Sequence, residues 1–473
     1  VPHLHISADQ LISALLSISE SETVCILDSS GVGHLDSHLL IAGIDPVEVL
    51  EISNDDPTVI LELLDEELNS DLASIFTVSY NFGEKLIGIH RPTEEFSPSL
   101  EPDAFIASFD VLVVHDYATG KTKLTGNADK FSAIETKLIG SICNFRYEIS
   151  NIENRVISNF TKPEYLAAIE TIKERIRCGD TYQTNLTQQL QVALADDLTP
   201  QMVFNRLRQQ HPAPFASLIT RLDSAVISAS PERFFRIEES ESPRVSKGET
   251  PDAASIALAH ARAFATERRQ ITTSPIKGTR PRGNTSEEDT ALRNELLTSP
   301  KDCAENTMIV DLLRNDLGRV CEYGSVRVEK LCDLEEHPTL FHLVSTVSGE
   351  LRSDVKFSDI LNALFPCGSI TGAPKISTMR IIDEIETVDR GLSMGAIGYY
   401  VPGLKSNVQS SLAWDIGPAT LDLSVAIRTM VIRDKIATFN VGGGIVIDSE
   451  PEKEYDESLL KAKALLTALG NKS

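Results

Sequence analysis

Hydrophobic and polar positions alternate along this chain in short stretches whose period changes repeatedly. In "KPEYLAAIETIKERIRCGD", Tyr165, Ile169, Ile172 and Ile176 recur at helical spacing and Gly179 supplies a stop, so the pattern predicts an amphipathic helix. Phe, Ile and Val with partial two-residue alternation predict strands at "FASLIT", "SAVISAS" and "RFFRIEE", and again at "SVRVEKLCDL" and "FHLVSTVSGEL". In "SPKDCAENTMIVDLLRND", Ser299 and Asp302 give a capping pattern, Pro300 suits a first turn, and Met308, Ile309, Leu312 and Leu313 form an apolar stripe. Further helices are expected at "VKFSDILNALF", at "KISTMRIIDEIE" behind Pro374, and over the alanine-rich stretch 252–267.

Residues 1–150 mix short apolar runs such as "FDVLVVHDY" with acidic connections, and few of them suggest chemistry. The change of texture near 155 predicts an N-terminal segment, 1–155, and a second one, 156–473. Strands and helices intermix without the steady alternation of a barrel or a doubly wound sheet.

Composition narrows the function classes. The 473 residues carry 44 Lys plus Arg against 69 Asp plus Glu, a net charge of −25, which repels nucleic acid and anionic membrane surfaces. A small anionic substrate would need a locally basic or metal-charged pocket. The seven cysteines are scattered and never spaced C-x-x-C, so a reducing, cytoplasmic setting is expected rather than a disulfide framework or a zinc site. The opening "VPHLHISADQ" lacks a signal region, and no apolar window is long enough to span a membrane.

Several short motifs have chemical potential. "TTSPIKGTRPRG" puts Lys277 in a run that favours turns and extended chain. Glu232 follows a predicted strand in "SASPERFF"; a carboxylate and an amine brought together could serve as acid/base and nucleophile, or form an ordinary ion pair. In "NVGGGIVIDSEPEKEYDESLLKAKALL", a strand runs into three glycines, a second short strand follows, and Ser449 with Glu452 suggests a capping box. Glu454, Glu457 and Lys461 then share one helix face, where they could hold a divalent cation or simply be solvated. Glu305 could contribute a third carboxylate, or merely favour the helix dipole. "FPCGSITGAPK", with Thr371, offers an anion seat at a helix start but no nucleotide fingerprint. Arg428 interrupts the apolar strand pattern "LSVAIRTMVI", a costly place for a charge unless it grips a carboxylate or a structural partner. His342 and Tyr399 fit either packing or substrate contact.

The order of "GDTYQTNL", "SPERFF", "PIKGT", "AENTMIVDLLRNDLGRV", "HLVSTVSG", "FPCGSITGAPK", "GAIGYY", "AIRT" and "GGGIVIDSEPEKEYDE" resembles the chorismate-utilising enzymes, the family of anthranilate synthase component I, aminodeoxychorismate synthase component I, isochorismate synthase and salicylate synthase. "PIKGT" and "AENTMIVDLLRND" are most similar to aminodeoxychorismate synthase component I. The resemblance implies an α+β fold, an α/β/β/α sandwich of large antiparallel sheets flanked by helices, with chorismate and Mg²⁺ in a cleft. It also implies a role for each matching residue. Glu305, Glu457 and the companion Glu454 match metal positions. Thr371, Tyr399, Arg428, Gly443 and Lys461 match substrate-binding positions. His342 matches a pocket histidine, Lys277 a nucleophile that attacks C2 of chorismate, and Glu232 its general acid/base. Ser29, in "ILDSSG", falls in a segment that lines a tryptophan pocket in this family.

The activity implied is amination of chorismate at C4, a transferase reaction that leads to 4-aminobenzoate and folate, with ammonia supplied by a separate glutamine amidotransferase subunit. The alternatives are anthranilate synthase component I and a non-catalytic, ligand-binding regulatory subunit. The chain departs from the family pattern at Cys367, at Gln189 and in the long 240–270 stretch.

Overall fold

In the computed structural model, residues 3–33, 35, 37–89, 100–143, 155–240, 268–336, 340–402, 412–415 and 420–471 are described. The helix expected over 252–267 lies outside them. Two large sheets form, with every strand pair antiparallel. The thirteen-stranded sheet has Val24–Asp28, Phe215–Thr220, Ser224–Ser230, Thr429–Arg433, Ile436–Ile445 and Gln183–Ala193 side by side. The ten-stranded sheet runs from Ile276–Pro281 through Leu340–Glu350, Arg268–Ser274, Arg233–Ser240, Thr420–Val425 and Ala396–Val401 to Ala73–Val78 and beyond.

The apolar positions explain the layers. Ile41, Leu112, Ile219 and Val226 of the larger sheet meet Ile75, Phe105 and Ile397 of the smaller one in a core between the sheets. Leu11, Leu138, Phe204 and Leu465, on four helices, cover the larger sheet's outer face. Ile60, Val310, Leu361 and Met379 cover that of the smaller sheet. Each fully buried aliphatic side chain contributes about 1.5–3 kcal/mol, so the stripes on both sheet faces must find cover. The result is the expected α/β/β/α sandwich.

Ladders cross the sequence boundary near 155. Ile26 pairs with Leu218, and Phe76 pairs with Gly398, so both segments contribute to both sheets. The strands predicted at "FASLIT", "SAVISAS", "SVRVEKLCDL" and "FHLVSTVSGEL" form as Phe215–Thr220, Ser224–Ser230, Arg327–Glu336 and Leu340–Glu350, as do the helices Lys162–Arg177, Pro300–Gly318, Phe357–Leu364 and Lys375–Ile385.

Two local expectations need correction. The triple glycine does not separate two strands; Ile436–Ile445 runs straight through it, because ten residues pair without interruption with Gln183–Ala193. Ser449 does not cap the last helix. Pro451, which lacks an N–H and suits a first-turn position, starts it one residue later behind Glu450. Of the two conformations expected around Lys277, the chain takes the extended one, in the paired strand Ile276–Pro281.

A buried ion pair ties the layers together beside the Gly368–Ile370 turn. Arg390 and Glu386 have side chains only 1% and 2% exposed and meet at 2.7 Å. The Arg390 guanidinium also donates to the carbonyls of Ile370 (3.1 Å) and Asn185 (2.7 Å). Glu386 in turn accepts from the Thr187 N–H at 2.7 Å. Removing one partner leaves the other charge buried, at a cost of about 3–5 kcal/mol. Arg390→Ala is therefore expected to lower the urea midpoint markedly, and an unchanged midpoint would show that the pair contributes nothing net.

Candidate active site

Two of the chain's crossings between the sheets lie side by side, and each carries one candidate side chain. Ser224–Ser230 leads through Pro231 and Glu232 into Arg233–Ser240; Thr420–Val425 leads through Arg428 into Thr429–Arg433. The Val425 N–H donates to the Glu232 carbonyl and the Ala229 N–H to the Arg428 carbonyl, both at 3.0 Å. Arg428 thus sits between strands rather than within one, with a left-handed φ of 48°. Leaving one sheet for the other requires that break in the ladder, and a non-glycine residue rarely adopts such a φ.

Burial alone pushes the Arg428 guanidinium below its ordinary value, and no ion pair to it forms among the described residues. A charge so placed is a ready seat for a substrate carboxylate.

Glu232 is buried, and its Oε1 has no hydrogen-bond partner among the described residues. Burial raises its carboxyl above the ordinary range, against the opposing pull of the Lys277 ammonium and the Ser369 hydroxyl. Lys277 pairs with Leu343 across the ladder and donates from Nζ to the Ser369 carbonyl at 3.3 Å. Ser369 therefore joins the two groups, its hydroxyl towards Glu232 and its carbonyl towards Lys277. Next to Lys277, Gly278 has φ 80°, and a Cβ there would lie about 3.0 Å from Asp302. That missing Cβ lets the Pro300–Gly318 helix settle on the lysine strand.

This helix presents Glu305, whose carboxyl is raised by burial, opposed by Lys277 and Lys301. From the other side, the Pro451–Ala468 helix brings Glu454, Glu457 and Lys461. Glu457 and Lys461 pair at 2.9 Å, and Lys461 also donates to the Gly442 carbonyl at 3.0 Å. Burial raises the Glu457 carboxyl, but Lys461, then Lys301 and Lys277, outweigh it and hold the group below its ordinary value. Glu454 is buried and accepts from Ser449 Oγ at 2.8 Å. A Cβ on Gly443 would stand 3.4 Å from Lys461 Nζ and 3.6 Å from Glu454, so the glycine keeps the strand surface open beside both.

Among the described residues, no three His, Cys, Asp or Glu side chains converge as a ready metal cage. Glu305 and Glu457 lie in the field of the same two ammoniums, Lys277 and Lys301. Magnesium commonly takes one or two carboxylates and completes its shell with water and substrate oxygens. This pair of carboxylates fits that requirement.

Other expected residues take definite places. Thr371 is fully buried; its hydroxyl donates to the Cys367 carbonyl at 3.0 Å and its carbonyl accepts from the Asn185 N–H at 2.8 Å. His342 is buried and bonds through Nδ1 to Thr279 Oγ1 at 2.9 Å, two residues beyond Lys277. Tyr399 is elsewhere. It lines a cavity of about 70 Å³ between the sheets with Ser29, Phe215, Arg233 and Asp422. On its strand, successive side chains point to opposite faces, and Tyr399 falls on the inter-sheet face with Ile397. Ser29 is buried there, and its Oγ has no hydrogen-bond partner among the described residues.

Sequence reasoning missed Lys301 and gave Ser369 only a place in the anion seat of "FPCGSITGAPK". The spacing of Lys301 to Glu305, four residues apart within one helix, was the available signal; the two stand 4.0 Å apart. The link from Ser369 to Lys277 and Glu232 had no local signal, because it depends on a strand and a sheet crossing far away in sequence.

The raised carboxyl of Glu232 has a sign that can be tested. Its folded value lies above the ordinary 4.5, so protonation favours the folded state. That contribution is present below about pH 4.5 and is lost as the pH rises through the folded value. Glu232→Gln is expected to melt at a higher temperature than the parent at pH 8, with the difference shrinking towards pH 4. An equal or lower melting temperature at pH 8 would contradict a costly buried ionisation.

Comparison with known proteins bears on the family and the fold. The family model described as chorismate binding enzyme matches residues 25–245 and 240–467. Anthranilate synthase component 1 of Aquifex aeolicus (strain VF5) is 33% identical over 408 residues, 82% of this chain and 73% of that protein. Aminodeoxychorismate synthase component 1 of Bacillus subtilis (strain 168) is 34% identical over 379 residues, 78% of this chain and 71% of that protein. The chain spans only 36% to 56% of the length of other relatives that it matches. The solved structure of anthranilate synthase component I from Streptococcus pneumoniae TIGR4 is similar with a TM-score of 0.71 and 26% identity, covering 90% of this chain and 92% of that one. The chain belongs to the chorismate-binding enzymes, in the family of anthranilate and aminodeoxychorismate synthase component I.

Proposed function

We propose that the chain aminates chorismate at C4, giving 4-amino-4-deoxychorismate, with ammonia delivered by a glutamine amidotransferase partner in the cytoplasm. The observation that carries this reading is the placement of the Lys277 amine and the buried Glu232 carboxyl on either side of Ser369. Lys277, once neutral, attacks C2; the ring double bonds shift and the C4 hydroxyl leaves as water, taking its proton from Glu232. Ammonia then adds at C4, the double bonds shift back, and the lysine is released. Splitting one displacement into two steps is the purpose of such a nucleophile.

Arg428 is proposed to bind a chorismate carboxylate, and Lys461, Gly443 and Thr371 to line the seat around it. Glu305 and Glu457 would hold magnesium, with Glu454 behind them. The ion would offset the substrate's negative charge and orient the ring. His342, through its bond to Thr279, would steady the lysine strand. The cavity beside Ser29 and Tyr399 is the proposed place for tryptophan.

A second reading is anthranilate synthase component I, favoured by the relative from Aquifex aeolicus and by the structure from Streptococcus pneumoniae. The two readings separate on product. The purified chain, given chorismate, Mg²⁺ and ammonium, is expected to form a product that a lyase converts to 4-aminobenzoate. Anthranilate with released pyruvate would establish the second reading instead.

Lys277→Ala is expected to abolish C4 amination, whereas an anthranilate-forming enzyme would tolerate it. Glu232→Gln should lower turnover by about 10²–10⁴-fold. Denaturing mass spectrometry without ammonia is expected to find a chorismate-derived adduct on Lys277; sustained turnover without any adduct would remove the lysine from the nucleophile's role.

A further inference from the structure

All seven cysteines are free thiols. Cys25, Cys321 and Cys367 are buried, whereas Cys143 and Cys178 are exposed on separate elements. Cys303 and Cys332 are different. One lies in the first turns of the Pro300–Gly318 helix and the other in the strand Arg327–Glu336, and both are partly exposed. The Cys332 sulfur approaches the Cys303 carbonyl to 3.8 Å. The two residues are thus neighbours where the helix start abuts the strand.

The strand is irregular at this point. Its register against Leu340–Glu350 shifts between Lys330 and Asp333, and Cys332 holds a left-handed φ of 49°. Such a bulge redirects a side chain and leaves slack in the ladder. The surrounding bonds tie this bulge to the helix. The Cys332 N–H donates to Ser345 Oγ at 2.9 Å, Ser345 donates to Asn306 Oδ1, and Asn306 Nδ2 donates to the Leu343 carbonyl at 3.3 Å. Thr307 Oγ1 donates to the Cys303 carbonyl at 2.7 Å. Glu305 lies two residues beyond Cys303, and Leu343 is the ladder partner of Lys277.

We propose that Cys303 and Cys332 form an oxidisable dithiol, a modification site that takes a peroxide and clamps the start of the Glu305 helix to the adjoining strand. One thiol reduces hydrogen peroxide, giving a sulfenic acid and one water. The other thiol then displaces the sulfenic hydroxyl, forming the S–S bond and releasing a second water. Two thiols and one peroxide thus give one disulfide and two waters, a two-electron exchange. An S–S bond of about 2.05 Å is much shorter than a thiol contact, so closure must draw the helix start and the bulge together. Glu305 and the strand opposite Lys277 move with them.

The effect on turnover rests on the chorismate reading above; formation of the cross-link does not. The full chain is treated with a small excess of hydrogen peroxide, alkylated and peptide-mapped. A peptide linking Cys303 to Cys332, lighter by two hydrogens and cleaved by dithiothreitol, is the expected result. Cys303→Ser and Cys332→Ser should each abolish it. Chorismate consumption by the oxidised chain should fall by about ten- to a hundredfold, as expected for a displacement of order 1 Å, and return on reduction. Sulfinic acid at either cysteine without a cross-link overturns the proposal. A cross-link that leaves chorismate consumption unchanged overturns its connection to the cleft. Reduced protein that forms a different product tests the proposed reaction alone.

Discussion

The site depends on one constraint: two strands must leave one sheet and enter the other side by side. The backbone bonds between Val425 and Glu232 and between Ala229 and Arg428, both 3.0 Å, hold the two crossings together. Regular pairing is impossible where a chain changes sheets, so polar groups are exposed at that point and must be satisfied. Glu232 and Arg428 occupy these positions. The smaller sheet's edge then supplies Lys277, and the helices on either outer face supply Glu305 and Glu457.

The electrostatics follow from that meeting. The whole chain carries −25, yet Lys277, Lys301 and Lys461 gather around Glu305 and Glu457. The carboxylates Glu305, Glu457 and Glu232 offset part of the lysine charge, whereas Arg428 is buried with no ion pair among the described residues. A dianionic substrate with a divalent cation would complete the balance. The glycines serve the same end, since Gly278 and Gly443 let helix and strand approach where a Cβ would intrude.

Much of the scaffold was legible because its patterns are local. The stripe of Ile309 and Leu313, with Ser299 as cap and Pro300 in the first turn, specifies a helix whatever surrounds it. The alternation around 215–240 likewise specifies strands. The order of short motifs identified the family. Where local signals competed with long-range pairing, they lost. The glycines at 442–444 read as a break, but ten residues of pairing with Gln183–Ala193 carry the strand through them. Around Lys277 the extended alternative wins, because Leu340–Glu350 pairs with Ile276–Pro281, and the register shifts at Gly278.

By itself, then, the sequence determined the secondary elements, the sandwich class through its family motifs, and the list of chemically capable residues, all properties of neighbours in the chain. Only the tertiary structure decided which of those residues share a cleft. It put Lys277 and Glu232 on the two sides of Ser369, and it turned Tyr399 away into the cavity with Ser29. The physical reason is the pleat: a strand residue faces one side of its sheet or the other according to register, and register is set by partners far away in sequence.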